Sequence, residues 1–127
     1  MPEAIDMMKQ GLAIATKICH ERAVKNGWWS DARTGQRIRR NKGEMIALMH
    51  AELSEALEGE RKSLMDEHLP HRRSPEVELA DTLIRIFDYA AEYGYDLAGA
   101  VVEKLCYNDQ RADHKVESRL KEGGKKF

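Results

Sequence analysis

Four stretches of the chain carry apolar residues at helical spacing, separated by short polar or glycine-containing breaks. From 3 to 25, Ile5, Met8, Leu12, Ala15, Ile18 and Cys19 recur on one side of a helix, and Asn26-Gly27 supplies a C-terminal stop. From 44 to 62, Ile46, Met49, Leu53, Ala56 and Leu57 form an apolar stripe, with Leu48, Glu52 and Glu55 on the strip beside it. Pro75 suits the first turn of a third helix, with Ser74 as its cap and Glu76 and Glu78 near the positive end of the dipole. That helix runs to about Tyr93, before Gly94, and repeats the design: Val77, Ala80, Ile84, Phe87 and Ala91 are apolar, and Glu78, Asp81, Arg85 and Asp88 lie alongside. A fourth helix runs from about Asp96, a capping residue, to Asp113. Segment 28–43 lacks a clean period and reads as a loop or a short interrupted helix, and the polar stretch from Ser63 to Ser74 reads as a connection. The last residues, 117–127, contain Gly123-Gly124-Lys125-Lys126 and read as a frayed tail. With no strand-like alternation and no internal repeat, the expectation is one all-α domain over 1–127, a helical bundle of four main helices with its core at about 3–113.

The acidic strips bring in the chemistry. Glu52-Leu-Ser-Glu55 and Glu78-Leu-Ala-Asp81 each set two carboxylates three residues apart, on one face of their helix. If the two helices lie antiparallel, four carboxylates converge, and protonation or a hard divalent cation must offset their repulsion. Carboxylate oxygen suits Mg²⁺, with Mn²⁺ as a substitute, and no Glu has a His three residues later, as di-iron bundles require. On the fourth helix Lys104, Asn108 and Arg111 stand at i, i+4 and i+7, within roughly 60° of one another on the helical wheel. This face is apolar at Leu97 and Val101 and turns polar further along, as where a core helix reaches a cleft.

Composition narrows the class. Hydrophobic residues make up 42% and charged residues 34% of 127, with three prolines, which excludes a disordered or membrane-embedded chain. No run approaches membrane-spanning length, and the start, Met1 to Asp6, lacks a basic region followed by an apolar core, so the expected compartment is the cytoplasm. A net charge of -1 gives no global attraction to a nucleic-acid polymer, and the run Arg37, Arg39, Arg40, Lys42 is too small a patch to make one the expected partner. Cys19 and Cys106 lack metal-site spacing and read as buried apolar residues. His68 and His71 share a loop with Asp66 and Glu67 and read as surface residues, as do His20, His50 and His114.

These residues resemble the MazG-like group of the all-α nucleoside triphosphate pyrophosphatases. The resemblance rests on Glu52-x-x-Glu55, 22 intervening residues, Glu78-x-x-Asp81, and then Lys104-x-x-x-Asn108-x-x-Arg111, and spans about residues 28–115. The stretch from Ile46 to Glu58 is especially similar. The resemblance implies that Glu52, Glu55, Glu78 and Asp81 bind Mg²⁺ and carry the chemistry, while Lys104, Asn108 and Arg111 contact the nucleotide. It implies hydrolysis of a nucleoside triphosphate to monophosphate and pyrophosphate by a homodimer or homotetramer. Trp28 and Trp29 are candidates for stacking on the base, with Trp29 placed first, although either could instead plug the end of the bundle. Glu55 is placed first as the base that activates water. Alternatives are a dUTPase-like or phosphoribosyl-ATP pyrophosphohydrolase-like member of the same superfamily and, from another class, a non-catalytic helical interaction module.

Overall fold

The computed structural model describes residues 2–111, 113 and 115–127; His114 lies outside them. Its elements are α1 (Pro2–Lys25), α2 (Lys42–Lys62), α3 (Ser74–Glu92), α4 (Leu97–Gln110) and α5 (Val116–Leu120). Among the described residues there is no strand, only two isolated bridges, and no helix is long and apolar enough to cross a membrane.

The helix ends expected at Asn26-Gly27 and at Asp96 are found, and α2 begins with a cap of the same kind. Beyond α1, Gly27 takes a positive φ of 85°, and Trp28 N donates to Ala23 O, closing the last turn. The Asn41 side chain caps α2 by accepting from Glu44 N, and Asp96 caps α4 by accepting from Gly99 N. At α3 the cap differs: Arg73 occupies that position without a side-chain bond, and Ser74 is already helical, one residue ahead of Pro75. Helix α4 ends at Gln110, so Arg111 is extended backbone and not a helical i+7 position. The expected frayed tail includes the single turn of α5.

The chain divides into two compact units. The first comprises residues 1–13 and 96–127, and the second residues 14–95. The second is built on the α2–α3 pair, which is antiparallel: Glu52 meets Arg85, while Gly59, a helical turn or two later, lies against Ser74. A Cβ on Gly59 would stand 2.8 Å from Ser74 Oγ and 3.1 Å from Pro75 Cδ, so a small residue lets the helices approach there. Gly59→Val is therefore expected to destabilise the protein by about 1–3 kcal/mol in urea unfolding. A variant as stable as the parent would mean that the two helix ends separate easily.

The faces of this pair match the sequence expectation only in part. In α2, Met45, Ala56 and Gly59 are buried and Glu52 is half-buried, whereas the stripe residues Ile46, Leu53 and Leu57 are exposed. In α3, Thr82 and Asp88 are buried and Glu78, Asp81 and Arg85 half-buried, whereas Ala80 and Ile84 of the apolar stripe, with Leu79 and Leu83, are exposed. Part of each polar strip, Glu52 on α2 and Glu78, Asp81 and Asp88 on α3, thus turns inward, while Ala56 is buried and Met49, Val77, Phe87 and Ala91 are half-buried as their stripes predict, and Glu55 is exposed. Small side chains at 56 and 59 permit the close approach; bulky Leu53 and Leu57 would not.

The α1–α2 connection is a folded loop. The Asp31 carboxylate accepts from Arg33 N and Thr34 N, Gly35 turns the chain with φ 72°, and Ser30 bridges to Arg37. The α2–α3 connection is built likewise on buried Asp66, whose carboxylate accepts from His68 N and Leu69 N. His68 and His71 are exposed, as expected.

Candidate functional site

Helices α2 and α3 bring Glu52, Glu55 and Glu78 together, with one carboxylate oxygen from each lying within 4.8 Å of the others. Asp81 stands outside this set and lines a cleft beside it with Glu52. Arg85 Nε donates to Glu52 Oε1 at 3.0 Å and partly offsets the charge.

The centre of the cluster is Glu78. Its Oε2 is buried and, with the carboxyl ionised, has no hydrogen-bond partner among the described residues, because the groups around it are acceptors of its own kind; protonated, the carboxyl donates to Glu52 or Glu55. Burial first, then the adjoining Glu52 and Glu55 carboxylates, push its carboxyl up to about 8. Asp81 is raised as well, by burial first and then by Glu52. An orphaned oxygen among three hard carboxylate donors fits a hard divalent cation.

In the unfolded chain Glu78 would lose its proton near 4.5, whereas in the fold it holds it to about 8. The folded state binds the extra proton between these values, so stability falls as pH rises through the window and levels off above it. Asp31 and Asp113 are shifted downward, by backbone and side-chain hydrogen bonds respectively, and act at lower pH with the opposite sign. In chelator, the melting temperature is expected to decline from about pH 5 to about pH 8, and Glu78→Gln should remove most of that slope. A midpoint that stays level or rises would refute the assignment.

Next to the acids lies a cleft of about 530 Å³ with a mainly apolar lining, bounded by α1, the loop, α2 and α3. Trp28 lines it and is 64% exposed, whereas Trp29 is 0% exposed. The preference for Trp29 as the stacking residue therefore runs against its burial, and Trp28 is the indole open to a ligand. Trp29 Nε1 donates to both Asp88 oxygens, at 3.0 and 3.1 Å, and its ring meets His20 and Tyr93 edge-on. His20 is no free surface residue: Nδ1 lies 2.8 Å from Asp88 Oδ1 and Nε2 lies 3.4 Å from Glu92, which also pairs with Arg37. Asp88 thus ties α1, the loop and α3 together. Sequence reasoning placed Asp88 on the acidic strip but gave it no role; a single acid seven residues after Asp81 carries no motif. Cys19 lines the same cleft half-buried, its thiol pushed up by burial first and by Asp88, while Cys106 is exposed and not buried as expected.

The unit containing α4 places Lys104 and Arg111 against one ring, 4.7 and 5.8 Å from the Tyr107 centroid. Arg111 also makes a two-pronged ion pair with Asp113 at 2.9 and 2.6 Å. Asn108 Oδ1 is buried without a hydrogen-bond partner among the described residues.

No protein-family model, curated protein or solved structure matches the chain.

Proposed function

We propose that the protein is a nucleoside triphosphate pyrophosphohydrolase that releases pyrophosphate and a nucleoside monophosphate in the presence of Mg²⁺ or Mn²⁺. The observation that carries this reading is the convergence of Glu52, Glu55 and Glu78 on one point, with an orphaned buried oxygen, beside a cleft large enough for a nucleoside. Glu52, Glu55, Glu78 and Asp81 would hold the cation. When bound, it supplies charge neutralisation on the polyphosphate and lowers the pKa of water. The chain's own groups do the rest. Trp28 offers a face for stacking, and the apolar cleft keeps bulk water from the nucleoside. Glu55, the most exposed of the three clustered acids, is the one with room to accept a proton from an attacking water. The resemblance assigns contacts with the nucleotide to Lys104, Asn108 and Arg111, which belong to the unit that contains α4.

The exposed strips of Ile46, Leu53 and Leu57 and of Leu79 and Leu83 support a homodimer or homotetramer, because apolar strips at this spacing on neighbouring helices are covered in bundles. A nucleic-acid polymer is not favoured: Arg37 is paired with Glu92, and Lys42 lies 4.5 Å from the Tyr93 ring centroid.

Pyrophosphate release from a panel of NTPs and dNTPs, with Mg²⁺, with Mn²⁺ and with chelator, tests the reading. Metal-dependent release supports it and separates it from the dUTPase-like and phosphoribosyl-ATP alternatives by substrate. Silence across the panel from folded protein would favour the helical interaction module.

A further inference from the structure

The polar groups of the cleft divide unevenly into donors and acceptors. Asp88 is engaged by the fold, since Oδ1 takes both His20 and Trp29 and Oδ2 takes Trp29. Glu52 accepts from Arg85, and with Asp81 it belongs to the acidic end. Arg22 and Asn26 of α1 and its turn, and Arg40 of the loop, line the same cleft. Neither guanidinium makes an ion pair with a described residue; Arg40 lies over the Trp29 ring at 5.9 Å from its centroid. Two guanidiniums bring up to ten N–H donors and no acceptor, and the Asn26 amide brings two donors and one carbonyl. A ligand edge beside these three residues therefore meets many donors and one neutral acceptor; the further acceptors in the lining are the carboxylates, of which Glu52 and Asp81 belong to the acidic end.

Resting on the reading of the site as a nucleotide site, we infer that the cleft selects an oxo-bearing base, guanine before uracil or thymine, over adenine and cytosine. Guanine presents two adjacent acceptors, O6 and N7, matched by the two-pronged geometry of an arginine, and the cleft volume admits a purine. Uracil and thymine present carbonyl acceptors on a smaller ring. Adenine and cytosine present an exocyclic amino group, which needs an acceptor where this cleft has arginines; a donor facing a donor leaves both unpaired. Trp28 stacks on any base and adds affinity without choice.

The test is calorimetric titration of the full chain with GMP, UMP, AMP and CMP in chelator, so that neither metal nor turnover is involved. GMP is expected to bind at least about ten-fold more tightly than AMP or CMP, a range consistent with a base-edge contact of this kind. Arg22→Gln and Arg40→Met should each shrink that ratio to within about three-fold, and Trp28→Leu should weaken all four ligands alike. Arg22 is exposed, so its variant keeps the test sound if the Arg40 variant unfolds. Equal affinities, preference for AMP or CMP, no binding by any monophosphate, or a ratio unchanged in both arginine variants would overturn the inference. Turnover separates it from the parent reading. Selective GMP binding without pyrophosphate release from any triphosphate would sink hydrolysis alone, whereas metal-dependent hydrolysis at equal kcat/KM for all bases would sink the selectivity alone.

Discussion

Glu78→Gln is expected to lower kcat/KM for metal-dependent pyrophosphate release by at least about a hundred-fold, the scale seen when a metal site loses an oriented oxygen. The fold should survive, because an amide imitates the protonated carboxyl that Glu78 already is in the metal-free protein below about pH 8. Above pH 5 the metal-free variant should melt higher than the parent, since the parent's unfolded chain gains by ionising this carboxyl and the variant's does not. Activity and stability thus move in opposite directions. A structural role would move them together, so a variant that loses helix content along with turnover would remove Glu78 from the chemistry. Turnover equal to the parent would do the same.

Trp29→Ala is expected to cost about 3–5 kcal/mol in urea unfolding, the range for deleting a large buried aromatic side chain. Trp29 is the most deeply enclosed large side chain and touches three elements at once: His20 of α1, Arg37 and Arg40 of the loop, and Asp88 and Tyr93 of α3 and its end. Removing the indole also strips Asp88 of a donor in a buried position. Trp29→Phe should cost less, about 1–3 kcal/mol, mostly for the lost N–H. Trp28→Ala, at an exposed site, should stay within about 0.5 kcal/mol of the parent. All four proteins must be compared at one protomer concentration, because self-association would add to apparent stability. Equal losses for Trp28→Ala and Trp29→Ala would contradict the assignment of the core.

The helices were legible because their signals are local. The Asn26-Gly27 stop, Pro75 in a first turn and the Asp96 cap each act within a few residues, and all three sit at helix ends. The acidic pairs were legible for the same reason, since a spacing of three places both carboxylates on one face whatever lies opposite. Which residues of each strip turn inward was legible only in part: Ala56 is buried and Phe87 half-buried as their stripes predict, whereas Leu53 and Ile84 are exposed. Periodicity marks the apolar strip of α2 at Ile46, Leu53 and Leu57, but the close approach at Gly59 depends on Ser74 and Pro75 of another helix. The two tryptophans failed for a similar reason: neighbours in sequence are equal on composition, and only Asp88, 59 residues on, separates them by offering Trp29 a buried acceptor. Arg111 was misplaced because α4 ends one residue before it, and its guanidinium pairs with Asp113.

That opposed pair of indoles has an optical consequence. Trp29, shut away from water, should emit toward the blue and resist a collisional quencher such as iodide, while Trp28 emits toward the red and is quenched freely. One chain therefore carries two unlabelled probes distinguishable in a single spectrum: the shielded emission reports whether the chain is folded, and the quenchable emission reports what occupies the cleft.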